Sequence, residues 1–554
     1  MQAITIAIGK TGIDFFAQKL VAKELVTALS ALTPPDKEIR IDTLQIGLSS
    51  ANNIDIRLRW GKLNNFAPAY QSVSQQKSSG VFSLILSANE FSAQYNWYET
   101  YQWISCSFIP NAGTVCQDPV NEQGSYNYTP DFSNFIVTVP LKFQFNSTKQ
   151  DWEVVVLSST ANPPSATANI PPDSIIQGED RGCFSSHVSD ATATAVASID
   201  FGTPVGNLIK NVVTSIPDSG NLGNGIIYDF SLGDSGLLFP NNDGIQMGVK
   251  GGASFNGAAF SGVTPPKLPL PTPPSDDDTQ HHLNMYVSSY EIDALYWAYW
   301  KAGKLNVVVN PTDLQDPKIL KVATYISSEP ALKPYHLFSM QAQISPAAAP
   351  VSTFQMVWIL TETALNALKN QLPSNIWNSL NILQGNNYIT QSSFEQDMTE
   401  VKIPSTYFPA IEKSIESMGM VVNSDLNFDL IIENQEPDPP DIKFTVARTD
   451  ILSNLRLGVG ANNTQTMQYD FTNVSFSTTF ISSSVPGFVG GDYFSNTVWA
   501  QAGEPQYEKA VADMAKTGVP LPIMADFQFD FENAQLSIQQ GYISILASVL
   551  YKNK

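Results

Sequence analysis

Thr264-Pro-Pro-Lys-Leu-Pro-Leu-Pro-Thr-Pro-Pro274, followed by Ser275 and three aspartates, lies almost at the midpoint of the 554-residue chain. Six prolines this dense cannot donate to a sheet ladder or continue a helix, so the segment is predicted to run extended, as a semi-rigid strap. The chain then starts again. Ile4, Ile6 and Ile8 alternate with Thr5 and Ala7 before Ile13-Asp14 and a helical pattern; Leu283, Met285 and Val287 alternate in the same way before Ile292-Asp293 and a second helical pattern. Period-two alternation marks a half-buried strand. The same order of strand, turn, Ile-Asp and helix, at a constant offset of 279 residues, predicts a diverged duplication. The expected organisation is a first half over 1–260, a linker over 261–280 and a second half over 281–554.

The bulk numbers narrow the function classes. At this length more than one core is expected. With 43% hydrophobic and only 15% charged residues, the surface must be rich in Ser, Thr, Asn and Gln, which suits extended sheets. A net charge of −21 with no Lys/Arg cluster argues against nucleic acid and against electrostatic docking on anionic membranes. No secretory leader and no run of about 18 apolar residues is visible, so a soluble protein is expected, cytoplasmic, exported by a non-classical route, or numbered from a processed start. Cys106, Cys116 and Cys183 permit one disulfide at most: Cys106 with Cys116, either of them with Cys183, or none.

Between the two ends, strands dominate. Ile39 to Trp60, Val81 to Leu86, Val137 to Phe145 and Trp152 to Leu157 alternate or run apolar, which predicts a curved antiparallel sheet. A first helix is expected over Phe15–Leu32, and a second carries Val205, Leu208, Ile209, Val212, Val213 and Ile216 after a polar loop from Ser158 to Asp190. In the second half, residues 362–420 read as an insertion with helices near Ala364–Leu372 and Ala410–Met418, and Tyr507–Lys516 reads as a helix closed by Gly518.

The opening Ile4–Lys19, the central proline strap, the restart Tyr286–Val309 and the ending Gly518-Val-Pro-Leu-Pro-Ile-Met to Leu-Ala-Ser-Val-Leu-Tyr551 together resemble the family of bactericidal/permeability-increasing protein, lipopolysaccharide-binding protein and the lipid-transfer proteins, the TULIP superfamily. The resemblance implies an α+β fold. It would comprise two tandem tubular domains, each a highly curved antiparallel sheet wrapped around a long amphipathic helix, joined by the strap into a boomerang-like molecule. It also implies lipid as the partner, an apolar cavity for acyl chains in one or both barrels, and no cofactor beyond a bound phospholipid or fatty acid. The family's disulfide would match Cys106 or Cys116 with Cys183. The cationic tip of the bactericidal members has no counterpart here.

Candidate cavity-lining residues are Phe16, Leu20, Leu25, Leu208 and Val212 in the first half and Leu295, Tyr299 and Trp300 in the second. Tyr95, Trp97, Tyr98 and Trp103 read as an aromatic loop for transient contact with a membrane or a protein partner. Proteins similar to this superfamily also occur in bacterial toxin gene clusters, so a toxin-associated or insecticidal role using the 362–420 insertion is the alternative expectation. No catalytic constellation is legible and no enzyme is expected. His281 and His282 after Asp276–Asp278 could hold a metal weakly, but a solvated acidic linker is the plainer reading.

Overall fold

The two strands that open the two halves, Ile4–Ile8 and Leu283–Ser288, lie side by side and antiparallel, with Ile4 opposite Val287, Ile6 opposite Met285 and Ile8 opposite Leu283. The computed structural model describes the chain apart from residues 1, 21–24, 26–27, 30, 77–79, 147–150, 175–180, 215–218, 241–243, 262, 265–266, 360, 372–373, 375–387, 392–414, 435–436, 461–463, 524–525 and 553–554. The paired openers form the middle of a six-stranded sheet ordered Leu232–Leu238, Ile245–Val249, Ile4–Ile8, Leu283–Ser288, Tyr542–Ala547, Gln535–Gln539. Three strands come from each half, so the seam between the openers divides the sheet by half of origin.

One face of this sheet is apolar: Ile4, Met285, Val287, Ile543 and Ile545 are buried in a core cluster that fills the second half and takes in residues of the first. The strap crosses the other face. Thr5 Oγ1 donates to Pro269 O at 2.9 Å, Gln246 Nε2 to Pro271 O at 2.7 Å and Asn284 Nδ2 to Thr272 O at 3.3 Å. A proline-rich segment has few N–H groups to satisfy and an excess of carbonyls, so a row of side-chain donors from three adjacent strands is what it needs in order to lie flat.

The first half carries a nine-stranded antiparallel sheet whose spine runs Asp151–Val156, Asp131–Asn146, Val81–Ile104, Ser49–Asn64, Lys37–Ile46, with Ala69–Gln76 and Val120–Tyr128 also paired to Val81–Ile104. Against its inner face lie α1 (Lys10–Leu20), α2 (Arg181–Ala197) and α3 (Gly202–Thr214). The stretch 95–103 is not a loop: it is the last part of one 24-residue strand, Val81–Ile104. Inward-facing residues are the even ones from Phe82 to Ala88 and the odd ones from Phe91 to Glu99. The partner strand changes phase at the same level, at Asn134, whose φ of 57° few residues other than Gly, Asn and Asp adopt. The sheet turns there without losing its inner apolar face. Helix α2 begins inside the stretch expected to be loop, and α1 begins at Lys10, five residues before the expected Phe15.

The second half carries an eight-stranded sheet with the order Val307–Val309, Met340–Pro346, Ile415–Ile432, Asp441–Val459, Gln465–Ser483, Val519–Pro520, and with Val351–Ile359 beside Ile415–Ile432. It is packed by α4 (Ser289–Lys301), and by α6 (Asp492–Val498), a π-helical turn at Trp499–Gly503 and α7 (Glu504–Thr517); a further helix, α5 (Glu362–Gln371), starts the segment read as an insertion. Gly518 takes φ 71° and its N–H bonds Met514 O at 3.1 Å, closing α7 where the sequence places the stop. The expected helix over Ala410–Met418 is overturned in its described part, because Ile415–Ile432 is a long central strand. Most of the insertion lies outside the described residues. The architecture is α+β, two tubular units of curved antiparallel sheet around helices joined through a central sheet and strap, as the resemblance implies.

Candidate functional site

The two tubes are filled differently. In the second half, α6 to α7 insert large rings against the concave sheet: Trp499 and Tyr507 are fully buried, and Trp499 meets Phe428 edge-on at 5.4 Å. Arg448 and Asp450 also point inward from their strand, with side chains 1% and 3% exposed. Arg448 Nε donates to both Asp450 oxygens at 3.1 and 2.9 Å and Nη2 donates to Oδ1 at 2.9 Å, with Glu508 3.5 Å away. Burial pushes Asp450 up and the Arg448 charge pulls it down, while Glu504 nearby rises to about 7, mainly through burial. This interior is occupied by the protein's own side chains.

The first-half interior is most tightly closed in the middle of the sheet and less covered toward both ends. Phe66, Phe91, Phe132, Phe135 and Phe201 form a continuous ring cluster with centroids 5.0 to 6.1 Å apart. Beyond it Tyr95, Trp97 and Tyr128 are fully buried, and then Tyr101 and Trp103, on the same face of the same strand, are only half-buried. Glu99 lies between them, 1% exposed, and accepts from Trp97 Nε1 at 2.9 Å and Ser174 Oγ at 2.6 Å; burial and this carboxylate push the Tyr126 hydroxyl up to about 12. Toward the opposite end of the sheet, where Val156 pairs with Leu141 and Leu141 with Phe82, a flank of Val154, Val156, Leu208 and Ile209 is apolar, inward and half-buried.

Beside that flank a cleft of about 460 Å³ opens between the end of Asp151–Val156 and the corner joining α2 to α3, lined by Val156, Leu157, Ser159, Ile199, Asp200 and Thr203. Asp200 is spent on capping α3, accepting from Gly202 N at 2.9 Å, Thr203 N at 3.1 Å and Thr203 Oγ1 at 2.6 Å, and the Thr203 bonds hold its carboxyl below the usual range.

The candidate residues from sequence separate accordingly. Leu25 and Leu208 belong to the first-half cluster. Phe16 does not: it packs on Phe527 of the second half at 4.7 Å, and its neighbour Phe15 stacks on His282 at 4.4 Å. Leu295 is fully buried in the second-half core, Tyr299 is half-buried beside it, and Trp300 Nε1 donates to Pro346 O at 3.1 Å. The side chains of Leu20 and Val212 lie outside the described residues. Tyr95 and Trp97 cannot serve as membrane or partner contacts, because both face the interior and are 0% exposed; Tyr98 faces outward and is 39% exposed, and Trp103 is an inward, half-buried ring. Strand alternation, which points successive side chains to opposite faces, separates the four.

Cys106 is bonded to Cys116 across a short hairpin. The side chain of Cys183 lies outside the described residues. His281 and His282 are used in packing: His281 Nδ1 sits 2.9 Å from Asp278 Oδ2, and His282 Nδ1 accepts the Val549 N–H at 3.0 Å. Among the described residues no group of three His, Cys, Asp or Glu side chains is placed to hold a metal ion, and no helix is long and apolar enough to cross a membrane.

No protein-family model matches the chain, and no curated protein sequence matches it. Among solved structures it is similar to lipopolysaccharide binding protein, at 14% identity and a TM-score of 0.49 over 100% of both chains. It is also similar to P47 of Clostridium botulinum E1, at 8% identity and a TM-score of 0.27 over 99% of this chain and 98% of that one. Takeout 1 of Epiphyas postvittana matches at 10% identity and a TM-score of 0.22, over 36% of this chain and 91% of its own.

Proposed function

We propose that the chain is a non-enzymatic lipid-binding protein that holds acyl chains against the concave face of its first-half sheet. The observation that carries this is the graded interior: from the buried phenylalanine cluster at mid-sheet, cover falls off to the half-buried, wholly apolar Val154, Val156, Leu208 and Ile209 at one end, and past Glu99 to the half-buried Tyr101 and Trp103 at the other. Apolar surface that its own side chains leave half-covered is completed by a ligand made of CH₂ groups, each worth about 0.8 kcal/mol on burial. The second-half tube, already filled by Trp499, Tyr507 and the Arg448–Asp450 pair, is assigned a structural part.

Mass spectrometry of the organic extract from natively purified protein tests this. About one phospholipid or fatty acid per chain is expected. Leu208→Glu, which sets a carboxylate on the half-buried flank, is expected to lower that content about tenfold with the fold intact. A wild-type protein with no extractable lipid and no affinity for a fluorescent fatty acid sinks the reading.

A further inference from the structure

At the end of the first-half sheet the chain leaves Val81–Ile104 and makes a small separate hairpin, Cys106–Ile109 paired with Gly113–Cys116, before returning as Val120–Tyr128. The disulfide closes its base, Cys106 opposite Cys116. Ser49 Oγ ties the same point to the sheet, accepting the Cys106 N–H at 2.9 Å, and Gln117 N bonds Ser105 O at 2.9 Å. Apart from Cys106 every residue in the two strands is exposed. Phe108 is 64% exposed, Ile109 46% and Val115 43%, with Leu48 and Val120 exposed beside the base.

The register decides what kind of environment this hairpin fits. Phe108 lies opposite Thr114 and Ser107 opposite Val115, so Phe108 is on one face while Ile109 and Val115 are on the other. A hairpin that is apolar on both faces is not completed by a protein surface laid against one of them; it is completed by a medium that surrounds it. From Thr100 to Gln117 no residue is charged, and no Lys or Arg occurs between Lys77 and Lys142, in a chain whose net charge is −21. Immersion therefore strips no charge of water, and nothing here attracts anionic headgroups. Like charge also opposes pairing with a second copy. Four residues per strand reach about 13 Å, enough to carry Phe108 and Ile109 through a headgroup layer to the acyl boundary. The disulfide keeps the loop in shape when it leaves water.

We propose that the Cys106–Cys116 hairpin is an immersion anchor for electroneutral lipid surfaces, seating the end of the first-half sheet at Trp103 on the bilayer interface. It does not depend on a lipid being held inside the tube.

The test uses the full chain, with its disulfide intact, and vesicles of phosphatidylcholine in a flotation assay. Wild-type protein is expected to float with the vesicles, equally well at 0.1 and 0.5 M salt, and less well when anionic lipid is added. Phe108→Ser/Ile109→Ser, at two exposed positions that support no core, is expected to lower the partition coefficient about 30-fold with an unchanged thermal midpoint. The same variant should keep any lipid extracted from wild-type protein, which separates failure of the anchor from failure of the cavity. The proposal is overturned by wild-type protein that does not float with phosphatidylcholine, by a variant that floats as well as wild type, or by binding that requires anionic lipid and disappears in salt. A variant that instead changes the native oligomeric mass while floating normally assigns the hairpin to a protein contact and overturns it too.

Discussion

Arg448→Met is expected to destabilise the protein by about 3–5 kcal/mol, and Arg448→Met/Asp450→Leu to recover most of that loss. The pair projects from Asp441–Val459 into the second-half tube, nearly without solvent. Its attraction mainly repays the cost of taking both charges out of water. Removing only the cation leaves Asp450 in a site where burial already pushes its carboxyl up, beside the acidic Glu504 and Glu508 and the buried Tyr507 ring. All three proteins should gain stability on acidification through Glu291, Asp293 and Glu504, and the single variant should gain more than wild type or the double variant, because its Asp450 also takes a proton. Thermal melts of the three proteins at pH 5 and pH 8 decide it. A single variant that melts with wild type at pH 8 rules out a buried pair in which each charge depends on the other.

Glu291→Gln is expected to stabilise the protein at pH 9 and to leave it nearly unchanged at pH 5. Glu291 stands in the first turn of α4, fully buried, where Gly252 N donates to its two oxygens at 3.0 and 3.1 Å. Burial raises its pKa to about 8, the Gly252 bond works against that, and Asp229 adds to it. The native state thus holds a proton that the unfolded chain releases near its ordinary value. The contribution is fully present below that ordinary value and is lost as pH rises through about 8. Asp293, raised to about 6 by burial against its Ser352 bonds, adds in the same direction. At about 1.4 kcal/mol per unit, the Glu291 effect alone is on the order of 3–5 kcal/mol at pH 9. Melting temperatures of wild type and variant that stay parallel from pH 5 to pH 9 would refute it. The adjacent Gly251 shows how close the packing is: its φ is 70° and a Cβ there would fall on the Glu291 carboxylate.

The fold was legible where local chemistry and tertiary role coincide. Proline density defined the strap, period-two isoleucines defined both opening strands, and Gly518 marked the end of α7. It was less legible where one residue type serves two environments. Tyr95, Trp97, Glu99, Tyr101 and Trp103 alternate with Asn96, Tyr98, Thr100 and Gln102, a clean strand signal, but aromatic abundance suggested an interfacial loop instead. The buried Glu99 was invisible because Ser174, which donates to it, reaches it only after the chain folds back over 75 residues. Helix α2 was missed because Ser, Thr and Ala blur its apolar stripe, whereas α3, with branched residues at three and four, was seen. Of the interior, composition told that apolar faces exist but not which tube the protein would fill with its own rings.

The seam between the opening strands has a consequence for synthesis. Ile4–Ile8 acquires its neighbour Leu283–Ser288 only after more than 270 further residues have been made. At about 5–20 residues per second the nascent chain spends roughly 15–60 s with that apolar edge unpaired. Co-translational completion of the first half is therefore deferred until the second has begun. A first half produced without residues 281–554 should keep the bare edge permanently and self-associate through it, which light scattering of that fragment would reveal.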